Sequence, residues 1–361
     1  VTFAPLYLSH LCVNACHYCG FRRDNPAVRR CHLDTDTLRA EVEILAGTIG
    51  HKRLIVVYGE HPSSGIDYMV DTIRTIYSVK VPTKRGYGQI RRVNVNAPPL
   101  PVEELKALAE VGVGTYQVFQ ETYDRRAYAR LHPPDTLKGH FRWRLYTMHR
   151  ALEAGIDDVG LGALFGLADW RLEVMGLVYH ARELERVFGI GPHTISFPRI
   201  EPAVNTPLAS SPPSPVSDDT FRHLVTVIRL AVPYTGMILT ARENAGVRRA
   251  LIPLGITQTD ASSRIGVGAY TEQAPKQDER QQFLLGDTRS LDEVVGELAR
   301  MGYITSFCTA GYRCGRTGKC IMDLLRSGAE GRFCKLNAVL TFREWLDDFA
   351  SDETKTAGEQ V

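Results

Sequence analysis

This 361-residue sequence has no cysteine between Cys31 and Cys308. All eight cysteines crowd the two ends: Cys12, Cys16, Cys19 and Cys31, then Cys308, Cys314, Cys320 and Cys334. A disulfide scaffold would be small, secreted and evenly stapled, so this pattern points instead to local metal sites held by thiolates in a reducing, cytoplasmic setting. No apolar run reaches the roughly 18–20 residues of a membrane span, and no secretory leader pattern is visible, so no membrane partner is expected. A marked excess of charge is missing too. The formal net charge is +2, which gives no electrostatic reason to expect nucleic acid. The sequence opens at Val1 rather than methionine, eleven residues before the first cysteine, which suggests a segment upstream.

What is present is alternation. Short β-branched and apolar runs fall at 3–10, 53–59, 92–97, 115–121, 158–165, 193–199, 237–242 and 256–262. Amphipathic helical stretches follow most of them, as at 35–48, 102–110, 141–154, 170–188 and 219–230. Strand–helix alternation signals a parallel sheet. Eight repeats fit a closed (β/α)8 barrel of the TIM type, here over residues 1–290. Residues 203–218 are rich in Pro and Ser and read as a loop, whereas 290–301 reads as a helix. Residues 291–361 form a C-terminal extension whose Gly- and Arg-rich tract, 307–335, carries the last four cysteines. The polar end, 351–361, is expected to fray.

The first cysteines read LCVNACHYCGF, a Cys-x3-Cys-x2-Cys spacing directly after the first strand. That is the C-terminal mouth of a barrel, where such folds keep their chemistry. Three close thiolates hold three irons of a [4Fe–4S] cluster and leave the fourth open to a substrate. The bland alternative is a structural zinc with His17 or Cys31 as fourth ligand.

With Tyr18 before the third cysteine, the motif resembles the signature of the radical S-adenosylmethionine (SAM) superfamily. The resemblance implies an enzyme whose cluster binds SAM and cleaves it reductively, with an external electron donor. It also implies that Gly59 and Glu60, in YGEHP after the second strand, contact the SAM amino group. By itself a Gly-Glu pair after a strand is usually a turn.

Longer strings narrow the match: RVNVNAPPL, YQVFQETY, EAGIDDVGLGALFGLADW, GPHTISFPRIEPA and SSRIGVGAY. Over Pro5 to Ala350 they resemble the aromatic amino acid lyases of that superfamily, in particular the tyrosine lyases of [FeFe]-hydrogenase maturation. The resemblance implies L-tyrosine as substrate, p-cresol and dehydroglycine as products, onward formation of carbon monoxide and cyanide, and maturation proteins as partners. A zwitterionic substrate needs a cation for its carboxylate, and Arg199 or Arg264 would supply a bidentate fork. Glu121, Gln120, Tyr123, Ser263 and Asn96 are lining candidates, and Arg144 is a candidate for the SAM carboxylate. For each, the bland reading is a mouth ion pair or hydrogen bond.

The same branch carries a second cluster on a Cys-x2-Cys-x22-Cys. Here Cys308 and Cys334 fill the outer places, and Gly311 fills the middle one. Glycine has no ligand atom. Either Cys314 or Cys320 takes over, or the second site is lost; a structural zinc is a third option. A histidine also belongs to that site, with His193 and His180 as candidates, although a lone histidine is more often structural. Two rivals follow. One is a 2-iminoacetate synthase of thiamine biosynthesis, with the same cleavage and no second cluster. The other is a non-catalytic iron–sulfur carrier or scaffold.

Overall fold

The computed structural model describes residues 1–272, 281–309, 317–329 and 331–361. Eight parallel strands close into a barrel: β1 Thr2–Ser9, β2 Arg53–Tyr58, β3 Arg92–Asn96, β4 Tyr116–Gln117, β5 Val159–Gly162, β6 Thr194–Ser196, β7 Gly236–Leu239 and β8 Gln258–Asp260. Each pairs with the next in sequence, and β8 closes on β1 through Thr2 opposite Thr259. A small antiparallel hairpin over Val81–Pro82 and Tyr87–Gly88 lies outside this ring.

Helices fill the crossovers: α1 Thr35–Glu43, α2 Ile66–Ser78, α3 Val102–Glu110, α4 Arg125–Leu131, α5 Phe141–Leu145, α6 Thr147–Glu153, α7 Trp170–Phe188, α8 Pro207–Ser210, α9 Asp218–Ala231 and α10 Ala245–Leu251. α7 starts on Asp169, whose carboxylate accepts from Arg171 N, and ends on Gly189 at φ 69°, a left-handed stop that glycine supplies without strain. Among the described residues no helix is long and apolar enough to cross a membrane.

The period of two along each strand sorts its side chains. In β1, Ala4, Leu6 and Leu8 point outward into the main core, where Val93, Val95, Leu105 and Leu177 join them, all fully buried. Each such Leu stabilises the fold by about 1.5–3 kcal/mol. The alternate residues face the barrel interior: Phe3, Pro5 and Tyr7 of β1, Ile55 and Val57 of β2, and Asn96 of β3 line one cavity at the mouth. Below them the interior is polar. Among the described residues Asn94 Nδ2, Gln117 Nε2, Thr194 Oγ1 and Gln258 Oε1 are buried without a protein partner, the pattern of groups that meet water. β5 contributes glycine to this layer, because a Cβ on Gly160 would stand 2.7 Å from Gln117 and one on Gly162 2.4 Å from the Phe119 ring.

The eight expected strands are all present, but most are shorter than expected, because their last residues leave the ladder to build the mouth. Two helical expectations change. The 141–154 stretch is two helices, broken at Tyr146, whose ψ of 15° is not helical. The 203–218 loop holds the one-turn α8. The expected frayed end is also corrected. After α11 Leu291–Arg300, α12 Gly318–Ser327 and α13 Gly331–Asp348, the chain forms α14 Asp352–Gly358. Ser351 caps it and bonds Asp292 of α11, and Thr354 is buried between the two helices. These C-terminal helices share a second core of Val295, Leu298, Phe342, Trp345 and Leu346. They sit at the bottom of the barrel: Phe349 lies under Lys52, Arg53 bonds the Cys308 carbonyl, and Thr317 bonds Asp157, all at strand starts.

Candidate active site at the barrel mouth

The loop that leaves β1 carries the three cysteines. Its ends are pinned by backbone bonds, His10 N to Cys31 O and Leu33 N to Leu8 O, both 2.9 Å. Cys12, Cys16 and Cys19 all line the mouth cavity. Cys16 is buried and the other two half-buried. Burial pushes the Cys16 thiol up to about 12, and raises Cys19 as well. Buried thiols of this kind ionise only against cationic charge, as bound iron would supply. Neither His17 nor Cys31 lines the cavity. Among the described residues no three His, Cys, Asp or Glu side chains converge on a single ion. Three thiols on one cavity wall fit the three protein-held corners of an iron–sulfur cube.

Beside it, the β2 turn does two jobs. Gly59 approaches so closely that a Cβ there would lie 2.1 Å from the Leu11 carbonyl. Glu60 takes a hydrogen bond from Asn14 Nδ2 at 2.5 Å, and its carbonyl accepts from Val13 N at 2.8 Å. Cysteine loop and carboxylate are thus one unit, with Glu60 facing the cavity.

A second charged group stands opposite. Glu121, at an unusual φ of 70°, accepts from Lys138 Nζ at 2.7 Å and Arg144 Nη2 at 3.2 Å. Burial alone would raise its pKa, but Lys138 and then Arg144 outweigh it and hold the carboxyl down to about 2. Arg144 is fixed further by its bond to the Phe119 carbonyl, 2.6 Å. Tyr18 shows its ring to the cavity, while its hydroxyl meets His132 Nε2 at 2.8 Å. The His132 Nδ1 hydrogen goes to the Tyr128 carbonyl, so Nε2 accepts.

Of the residues singled out from sequence, the structure brings to one cavity Cys12, Cys16, Cys19, Tyr18, Gly59, Glu60, Asn96, Glu121 and Arg144. Others are corrected. Arg199 follows the inward Pro198 and so points outward, where Glu243 and Asp218 bind it. Arg264 bonds the Ala269 carbonyl, and Ser263 holds Asp260 at 2.5 Å. Gln120 is buried off the cavity between the inward Phe119 and Glu121. Tyr123 lies under α7, its hydroxyl 3.0 Å from His180 Nδ1, and neither residue lines the mouth cavity. At the bottom, His193 Nδ1 stands 3.6 Å from Asp158 Oδ1, on the end where Arg53 meets Cys308. Among the described residues Cys308, Cys320 and Cys334 form no disulfide with one another. Cys314 and Gly311 lie outside the described residues.

Sequence reading missed Arg242, Lys138, Asn14 and Glu201. Arg242 lies in the turn past β7 and continues the inward row of Ile238 and Thr240, so the two-residue period carried the signal. Its guanidinium lies 3.3 Å from the Phe283 ring centroid and, among the described residues, has no carboxylate partner. Burial lowers its pKa from the ordinary value. Nearby, burial and Glu243 push Glu201 up to about 7.

Comparison with known proteins agrees with this geometry. Residues 6–173 match the radical SAM superfamily, and residues 196–304 the biotin and thiamin synthesis associated domain. A crystal structure of HydG, a maturase of the [FeFe]-hydrogenase, superimposes with a TM-score of 0.93 at 49% identity, covering 99% of this chain and 76% of that one. HydG from Carboxydothermus hydrogenoformans gives 0.85 and 40%, with the same coverages. The 2-iminoacetate synthase of Escherichia coli is 34% identical over 308 residues, 83% of this chain and 75% of the synthase. This chain is a radical SAM enzyme and belongs to the branch of that superfamily that holds HydG and the 2-iminoacetate synthases.

Proposed function

We propose that the enzyme cleaves the Cα–Cβ bond of L-tyrosine to p-cresol and dehydroglycine. One observation carries the reading: Arg242, half-buried and without a carboxylate partner among the described residues, faces the same cavity as the cysteine trio. Cys12, Cys16 and Cys19 would hold three irons of the [4Fe–4S] cluster, and the fourth would take the amino and carboxylate groups of SAM. When bound and reduced by an external donor, the cluster would supply one electron to the SAM sulfonium, cleaving SAM to methionine and a 5′-deoxyadenosyl radical.

The chain's own residues do the positioning. Glu60 accepts from the SAM amino group, oriented by Asn14. Glu121, held ionised by Lys138 and Arg144, offers an acceptor to the ribose hydroxyls. Arg242 forks the tyrosine carboxylate, leaving the amino group turned toward the radical. The apolar walls of Phe3, Ile55, Val57 and Ile238 exclude water around the aromatic ring. Hydrogen transfer from the amino group yields 5′-deoxyadenosine, and the departing hydroxybenzyl fragment takes one electron and one proton to become p-cresol.

In this reading dehydroglycine would pass the polar interior side chains Gln117, Asn94 and Gln258 to reach the end where His193 and Cys308 lie. In the HydG-type reading a second iron–sulfur site there converts it to carbon monoxide and cyanide for maturation partners. Gly311 favours the second reading, in which cleavage alone remains and dehydroglycine is released, as in a 2-iminoacetate synthase.

After anaerobic reconstitution with iron and sulfide, incubation with SAM, dithionite and L-tyrosine should give p-cresol and 5′-deoxyadenosine together. Deoxyadenosine without p-cresol would refute the substrate. Iron analysis of a Cys12/Cys16/Cys19 triple alanine variant separates the two readings, since residual iron requires a second site.

A further inference from the structure

Each cleavage event by the reading above, on which this inference rests, draws an electron from outside the protein. It has to enter through the surface nearest the cysteine trio. Cys16 is only 4% exposed. What covers it is α4: Ala127 and Leu131 pack against Cys16 and Tyr18, and the Leu131 carbonyl accepts the His17 N–H at 3.2 Å.

With that face buried, a helix of 3.6 residues per turn must present its other face to water. That face is Arg125, Arg126 and Arg130, all exposed, and Arg142 of α5 is exposed beside them. Among the described residues none of the four has a carboxylate partner. The acids on this side are already engaged. Asp124 caps α4, Asp135 pairs with Arg23 at 2.5 Å, and Glu121 is bound by Lys138 and Arg144. The formal charge of the whole chain is only +2, so this excess is local. A surface hollow adjoins the arginines, lined by Leu137, Phe141, Trp143 and Tyr146. Leu137 is 56% and Tyr146 48% exposed. Exposed aromatics among uncompensated arginines are the composition of an interface centre.

We propose that α4 and this hollow dock an acidic one-electron carrier protein. The carrier loses one electron, the cluster site gains it, and the contact from Leu131 through His17 to Cys16 is the short protein path between them. The arginines steer and orient the encounter, so the association weakens with salt.

The test titrates an acidic ferredoxin into the cluster-loaded enzyme by calorimetry, at low and high salt, and follows cluster reduction by absorbance. R125E/R126E/R130E should weaken binding and slow ferredoxin-driven reduction by about tenfold or more. Dithionite-driven reduction should be unchanged, which shows an intact fold and cluster. The triple glutamine variant should fall between the two. Unchanged ferredoxin affinity in the reversed variant, or affinity indifferent to salt, would overturn the proposal. Failure of the wild type to make p-cresol with dithionite would sink the lyase reading instead, while the arginine dependence of binding would still decide this one.

Discussion

Arg199 and Arg242 lie three residues past the ends of neighbouring strands, with opposite fates. Arg199 is spent on Glu243 and Asp218, whereas Arg242 keeps its guanidinium for the cavity. Their alanine variants should therefore differ in kind. Arg242→Ala should raise KM for tyrosine roughly ten- to hundredfold, the worth of a charge-assisted hydrogen bond of about 1.5–3 kcal/mol, with the deoxyadenosine formed without tyrosine unchanged. Arg199→Ala strands the buried Glu243 and should lower stability by about 3 kcal/mol in denaturant unfolding. Equal KM effects from both would mean that Arg242 does not hold the carboxylate. Cys16→Ala should abolish SAM cleavage and the cluster's visible absorbance together. The choice between the arginines was legible in principle, because alternation along a strand assigns them to opposite faces. What hid it was where each strand ends: chemistry at a mouth tempts one to assign every nearby charge to it.

At the scale of elements, α3 and α7 stand where their amphipathic patterns put them, because each lays one apolar stripe on the barrel. The break at Tyr146 was not legible. Burying Arg144 against the Phe119 carbonyl while α6 packs its own stripe needs a kink that no Gly or Pro announces. The C-terminal helix was hidden for a similar reason: its buried face is Thr354 and Gly358 rather than large apolar residues. α7 also carries a pH dependence. Glu173, buried against Thr122 and the Tyr123 N–H, is pushed up to about 7 by burial. A carboxyl raised above its unfolded value binds more protons folded than unfolded. Stability should then fall as pH rises from about 4.5 to 7. Glu173→Gln imitates the protonated form and should remove that slope, gaining on the order of 1 kcal/mol at pH 8. A variant with the wild-type slope in urea midpoints against pH would show that Glu173 is not its source.

Over the whole molecule, the barrel separates two ends that differ in what they need. The mouth holds every residue assigned to tyrosine cleavage, and the C-terminal helices close the bottom. Cys334→Ala should accordingly leave p-cresol formation within about twofold of wild type, because Cys334 belongs to α13 and does not line the mouth cavity. Comparable loss of p-cresol in Cys334→Ala and Cys16→Ala would mean that the tail serves the first step. The cysteine spacing declared the cluster at once, and the eight strand–helix repeats declared the barrel. The state of the bottom end was not declared, since Gly311 removes the donor that the spacing leads one to expect.

The cysteine loop is bonded chiefly to residues made long after it. Gly20 N donates to the Gln282 carbonyl, the Gln282 side chain meets both Tyr7 and Cys19, and β1 gains its second neighbour only when β8 arrives. The cysteine loop is thus completed by segments that lie far downstream of it. Iron and sulfide should therefore load on the closed barrel, and a variant that slows barrel closure should show up first as enzyme short of iron, measurable as iron content against folded protein.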